Sequence, residues 1–243
     1  MSVTPFFRVS AALLMLLCMN AASFAAIPSL DDDDDLDAVF PTVADPLEAW
    51  NRAVFSFNDF VFEYGARPAA KGYAAVVPQC VRAGLKNVFH NLGFPARFVN
   101  NLLQGKGMAA GVEMSRFVLN TTAGLGGFFD VAQDKKSIVP VDDDEDLGQT
   151  FGVWGIGEGP YIVWPLLGPG TLRDSIGRGG DFFLSPLTYV RPFEVGIGIS
   201  SVRIFNELDE ILDLYDSLKR SAVEPYSAVR DAYVQYRRAK IDK

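Results

Sequence analysis

Residues 151–170 read FGVWGIGEGPYIVWPLLGPG, with one charge (Glu158), six glycines and three prolines. This segment restricts the fold more than any other. It is as long and as apolar as a bilayer span requires. Yet Pro160, Pro165 and Pro169 each remove a backbone donor, so an unbroken transmembrane helix is excluded. A broken apolar backbone is tolerated at membrane depth only where protein or a water-filled cavity satisfies it. Trp154, Tyr161 and Trp164 belong to the residue types that favour a membrane–water boundary. The segment therefore reads as membrane-associated; a buried loop in an ordinary core is the alternative. Residues 121–132, TTAGLGGFFDVA, have the same character.

The rest of the chain looks contradictory at first. It is 49% hydrophobic, yet its formal charge is −8 over 243 residues. That balance excludes disorder over most of the length and removes the positive footprint of an electrostatic nucleic-acid binder, so no nucleic-acid partner is expected. The acidity is local. Residues 31–35 are five consecutive aspartates, and residues 142–146 read DDDED. Neither run has the spaced ligands and turn glycine of a calcium loop. The first reads as part of a solvated tether over residues 26–44, the second as an exposed loop leading into a helix.

Residues 1–25 have the form of a secretory signal peptide: a positive start at Arg8, an apolar run through Leu13-Leu14-Met15-Leu16-Leu17, and small residues around Ser23-Phe24-Ala25. Cleavage before Ala26 is one route. Acylation of Cys18 is the other, and the bulky Leu17 before it speaks against it. Either route exports the chain. Cys80 then reads as a small buried residue.

Folded structure is expected from Asp45, as one domain over residues 45–243. Asp45-Pro46-Leu47-Glu48 has the form of a capping box with proline in the first turn. Leu47, Trp50, Val54, Phe57, Val61 and Tyr64 then recur on one helical face. Phe55, Phe60 and Phe62 widen that arc, so the helix lies either within a core or against lipid. Further helices are expected over residues 78–92, 95–104 and 108–120. Val202, Phe205, Leu208, Leu212, Tyr215 and Leu218 form another stripe, flanked by Glu207, Asp209, Glu210, Asp213 and Asp216. Glu224-Pro225 opens a last helix with Tyr226, Val229, Tyr233 and Tyr236 on one side. Arg237, Arg238, Lys240 and Lys243 at its end suit either the helix dipole or phosphate head groups. Strand alternation is scarce, and the fold class reads as mainly α.

Chemistry is hard to find. No nucleophile elbow is present, and a single histidine, His90, cannot build a two-histidine zinc site. The glycine clusters at 124–127 and 155–159 and Gln104-Gly105-Lys106-Gly107 lack the spacing of nucleotide loops. No catalytic residue, metal or cofactor is expected; an enzyme would have to use His90 or Cys80.

Four segments together resemble one family. They are Asp45-Pro46-Leu47-Glu48 with Asn51-Arg52, Phe55 and Phe57-Asn58; Arg116-Phe117 with Asn120-Thr121, Gly124, Gly126-Gly127 and Asp130-Val131-Ala132; Gly148-Gln149-Thr150 with Gly152, Trp154-Gly155, Gly157, Gly159-Pro160-Tyr161, Pro165, Gly168 and Arg173-Asp174; and Pro225-Tyr226 with Arg230 and Ala232-Tyr233. In this order they resemble the VacJ/MlaA family of outer-membrane lipoproteins. The resemblance implies a ring of amphipathic helices embedded in the inner leaflet of the outer membrane, enclosing an amphipathic channel. It implies removal of misplaced phospholipids from the outer leaflet, delivery to a periplasmic MlaC-like carrier, association with a trimeric porin, and no catalysis. A porin-associated structural protein without transport is the alternative. Arg52, Arg116, Arg173, Asp174 and Asp181 lie among apolar and glycine-rich neighbours. Their two readings are ion pairing within the ring and steering of phosphate along the lumen. Leu17 departs from the family's lipidation pattern.

Overall fold

The computed structural model describes residues 45–133 and 144–242. The signal peptide, Cys18, the tether, Asp142, Asp143 and Lys243 lie outside the described residues.

Helix α1 (Glu48–Val61) runs through a widened π segment (Phe62–Ala66) directly into α2 (Arg67–Val76). Pro68 explains the widening. It donates no hydrogen bond and its ring clashes with the carbonyl four residues back, so the preceding turn opens. Helices α3 (Gln79–Leu92), α4 (Phe94–Leu103) and α5 (Gly107–Thr122) follow with short glycine-containing connections. All three match the expected spans to within two residues, because glycine and proline punctuate them.

After the acidic loop come α6 (Leu147–Val153), strands β1 (Tyr161–Trp164) and β2 (Gly168–Thr171), and α7 (Leu172–Leu184). A 3-10 turn (Pro186–Tyr189) leads to the long α8 (Phe193–Ser221) and the final α9 (Pro225–Ile241). The fold is mainly α as expected, and the strand pair is an element that the sequence reading does not place. Tyr161 faces Thr171 and Trp164 faces Gly168 in an antiparallel hairpin. The run YIVW, rich in β-branched and aromatic residues and bounded by Pro160 and Pro165, carried that signal.

Two interiors result. The apolar one joins Val54 of α1, Tyr161 and Val163 of β1, and Tyr226, Tyr233 and Val234 of α9. It is extended by Ile211, Tyr215 and Leu218 of α8 against Val229. The polar one lies where α4, α6 and α7 meet the C-terminal half of α9. There α6 and α7 cross at bare backbone: a Cβ on Gly177 would lie 2.3 Å from the Gly148 nitrogen. Ion pairs fasten α2 and α3 to the acidic flank of α8, with Arg67 bidentate on Asp216 and Arg82 on Asp209 at 2.6 Å. No helix among the described residues is long and apolar enough to cross a membrane.

Candidate functional site

Helix α1 is turned inside out relative to a helix of a water-soluble protein. Of its expected apolar face, Val54 is buried, but Trp50, Phe57 and Tyr64 are exposed, with Phe60 61% exposed beside them. The residues it buries are Val54, Asn51 and Asn58. Both asparagines serve the hairpin. Asn51 donates to the Tyr161 carbonyl (3.0 Å) and accepts from the Val163 amide (2.7 Å). Asn58 donates to the Trp164 carbonyl (3.0 Å) and accepts from the Leu166 amide (2.7 Å). Each side-chain amide thus stands in for a neighbouring strand. It satisfies edge groups that would cost about 1–3 kcal/mol apiece if buried unpaired.

Asp45 does not cap α1, which starts after Leu47 without a side-chain cap. Its carboxylate accepts from Asn51 (2.7 Å) and the Tyr226 hydroxyl, with Arg230 at 3.9 Å. A buried carboxylate gains more from two side-chain donors and a nearby guanidinium than from one helical amide. Pro46 sits in the exposed turn before the helix. Glu48 does not close a capping box but pairs with Arg52 at 2.7 Å. Arg52 also reaches Glu224 (3.0 Å) and lies over the Tyr226 ring.

Arg237 is the centre of the polar interior. It forms bidentate pairs with Asp146 (2.6 and 2.9 Å) and Asp174 (3.1 and 3.0 Å). Both carboxylates mark helix starts. Asp146 caps α6 through the Gln149 amide, and Asp174 lies in the first turn of α7, whose cap is Thr171. Asp174 also accepts from Arg173 (3.2 Å) and the Tyr233 hydroxyl (2.8 Å). Burial alone would push both carboxyls up; Arg237, joined by Gln149 at Asp146 and by Arg173 and Tyr233 at Asp174, more than offsets it, and both titrate below the ordinary range. Asp181 is different. It accepts from Asn100 (2.8 Å) and the Leu147 amide (2.9 Å), but burial prevails and pushes its carboxyl up to about 6.

Around this centre the polar contacts continue. Thr150 donates to Asn100 at 2.9 Å, and Gln104 and Lys106 hold the buried Glu145 at 2.7 Å each. Buried Arg97 pairs with buried Glu113 at 2.9 Å. Arg116 pairs with Asp130 at 2.7 Å, and Asn120 bridges Asp130 to the Ala132 amide. That bridge shapes the glycine turn after α5. Gly126 and Gly127 take positive φ of 72° and 97°, and a Cβ on Gly127 would strike Asn91.

The described part of the acidic loop is therefore not a solvated run: only Asp144 is exposed, while Glu145 and Asp146 are tied inward. The C-terminal cations also differ from both expectations, since Arg237 is buried in ion pairs and Arg238 meets Glu158 at 2.7 Å. Cys80 is exposed rather than buried, because the second residue of α3 faces outward. His90, also exposed, lies 3.5 Å from Asp144.

The remaining motif residues shape the hairpin. Tyr161 is fully buried between the Tyr226 and Tyr233 rings. The Pro160 carbonyl accepts from Leu172, Gly159 has φ of 69°, and Pro165 occupies the exposed tip. Gly157 lies in open space.

The long-range polar partners were not legible in advance. Asn100, Arg97, Glu113 and Arg237 lie far in sequence from the groups they bind, and residue type alone names no partner. Their one signal was polar residues recurring inside apolar helices.

The family model described as MlaA lipoprotein matches residues 43–240. The intermembrane phospholipid transport system lipoprotein MlaA of Escherichia coli is 38% identical over 193 residues, covering 79% of this chain and 76% of the relative. Its Haemophilus influenzae counterpart is 34% identical over 205 residues, covering 82% and 79%. A structure solved in work on the structural basis for maintenance of bacterial outer membrane lipid asymmetry superposes with a TM-score of 0.70 at 34% identity. The match covers 82% of this chain and all of that one. The profile spans residues 43–240, the relatives and the superposed structure each cover 79–82% of the chain, and the chain belongs to the MlaA lipoprotein family.

Proposed function

We propose that this protein is the outer-membrane component of a phospholipid transport system. It removes phospholipid misplaced in the outer leaflet and passes it to a periplasmic carrier of the MlaC kind, so that lipid asymmetry is maintained. Its helices form a ring in the inner leaflet around an amphipathic channel, beside a trimeric porin. It reaches the envelope through the signal peptide at residues 1–25, followed by the tether at 26–44. It moves lipid without catalysis. Arg116, Asn120, Asp130, Arg173, Asp174 and Asp181 shape the channel wall through ion pairs and hydrogen bonds, and Gly126, Gly127 and Gly159 supply the left-handed backbone that its turns need.

The observation that carries this reading is the inverted polarity of α1. Trp50, Phe57, Phe60 and Tyr64 face outward while Asn51 and Asn58 face inward. α5 and α7 repeat the outward apolar pattern with Met108 and Val118, and with Ile176 and Phe183. In water such faces cost about 25 cal/mol per Å² of apolar surface exposed; against acyl chains that cost vanishes. The relatives' names and the superposed structure's subject support the same reading.

Deletion of the gene is expected to raise outer-leaflet phospholipid and sensitivity to detergent, and purified protein is expected to carry bound phospholipid. An unchanged outer leaflet together with lipid-free protein sinks the proposal. Bound lipid also separates it from a purely structural role beside a porin.

A further inference from the structure

We propose that Arg178 receives the phosphate of a phospholipid headgroup, an assignment that rests on the transport reading above and adds a binding residue to it. Among the described residues that are not exposed, Arg178 is the arginine without a carboxylate. Arg97, Arg116, Arg230 and Arg237 are each paired with one. Arg178 has two neutral acceptors instead. Its Nη2 donates to the Pro169 carbonyl at 2.8 Å and to the Tyr233 hydroxyl at 3.5 Å, the outer limit of a hydrogen bond. Its Nη1 is buried and donates to nothing.

A buried N–H of a half-buried cation left without an acceptor is costly unless an anion answers it. The neighbours do not answer it. The Tyr233 hydroxyl gives its proton to Asp174, and Ser175 gives its own to the Thr171 carbonyl while accepting from Trp164. The local backbone is bare. A Cβ on Gly170 would lie 3.3 Å from Nη1, and one on Gly179 would meet nothing within 4 Å. Nη1 keeps both of its protons for the non-bridging oxygens of a phosphodiester.

The test titrates the full protein in detergent with dihexanoylphosphatidylglycerol, dihexanoylglycerol and inorganic phosphate. R178Q is expected to lower affinity for the phosphatidylglycerol about tenfold, the size expected of a charge-assisted hydrogen bond, and to leave the glycerol lipid unchanged. R191Q, which alters an exposed arginine, is expected to change neither. R178K keeps the charge without the planar guanidinium and is expected to lose a smaller factor, which decides the matter should R178Q not fold. Equal phosphatidylglycerol affinity in wild type and the folded Arg178 variants overturns the site and leaves the transport reading standing. Wild-type protein that takes up neither lipid overturns both. Inorganic phosphate that binds as tightly as the phosphatidylglycerol, and is lost in R178Q, overturns the headgroup assignment in favour of free phosphate.

Discussion

Helix α9 passes through two interiors built on opposite principles. Its first half, with Tyr226, Val229 and Tyr233, packs against Val54, Tyr161 and Ile211. Its second half sends Arg237 between Asp146 and Asp174. The first interior is non-directional: it is held by area removed from water, and a lost methyl group costs in proportion. The second is directional. It gains little over an apolar replacement of the whole cluster, but the loss of one member strands the others. The polar half therefore fixes where α6 and α7 start, while the apolar half supplies bulk stability.

Breaking the polar half is expected to have an effect as large as any. R237L leaves buried Asp174 and half-buried Asp146 without their counter-charge and is expected to cost about 3 kcal/mol in denaturant unfolding in detergent, read by tryptophan fluorescence. Replacing Asp146 and Asp174 by asparagine in the same chain is expected to recover much of that loss. Failure to recover it shows that Arg237 acts through packing. In the apolar half, I211A is expected to cost about 3 kcal/mol by the same measurement, with no partner able to rescue it. N51L tests the junction of α1 with the hairpin. It strands the Tyr161 carbonyl and the Val163 amide and is expected to cost about 2–3 kcal/mol.

The pH response sharpens the contrast further. Asp181 is raised in the folded state, so the stability it contributes is complete below about pH 4 and is lost as pH rises through about 6. Asp146 and Asp174 are lowered and act in the other sense, contributing above the ordinary carboxylate range and losing it as pH falls. D181N is therefore expected to flatten the decline between pH 4 and 7 by on the order of 2 kcal/mol and to leave the acid limb in place. The smallest effect on unfolding is expected from F60S and Y64S, within about 0.5 kcal/mol in detergent. The same pair should partition measurably less to lipid vesicles, since these side chains face outward.

The apolar half was largely legible in the sequence. Val54, Leu208, Leu212, Tyr215, Leu218, Tyr226, Val229 and Tyr233 lie on the stripes that periodicity traced, and all are buried. Periodicity marks a face but not the medium it meets, so the sequence left α1 open between core and lipid. The polar half was read poorly for a physical reason. Arg237 looked like a helix-end cation and Asp146 like part of a solvated run, because local composition carries no sign of a partner 91 residues away. The hairpin was missed because four-residue strands are too short for alternation to be seen.

The seven-residue spacing of Asn51 and Asn58 has a further consequence. Seven residues of helix advance about 10.5 Å. The two amides engage strand positions three residues apart, and three residues of strand advance about 10 Å. Helix and strand are thus commensurate over this interval, like two rulers that agree at two marks. Side chains between the marks are open to exchange, but the count of residues is not. One residue added or removed between Asn51 and Asn58 turns the second amide about 100° away from the hairpin. In this stretch it is length, more than identity, that is under constraint.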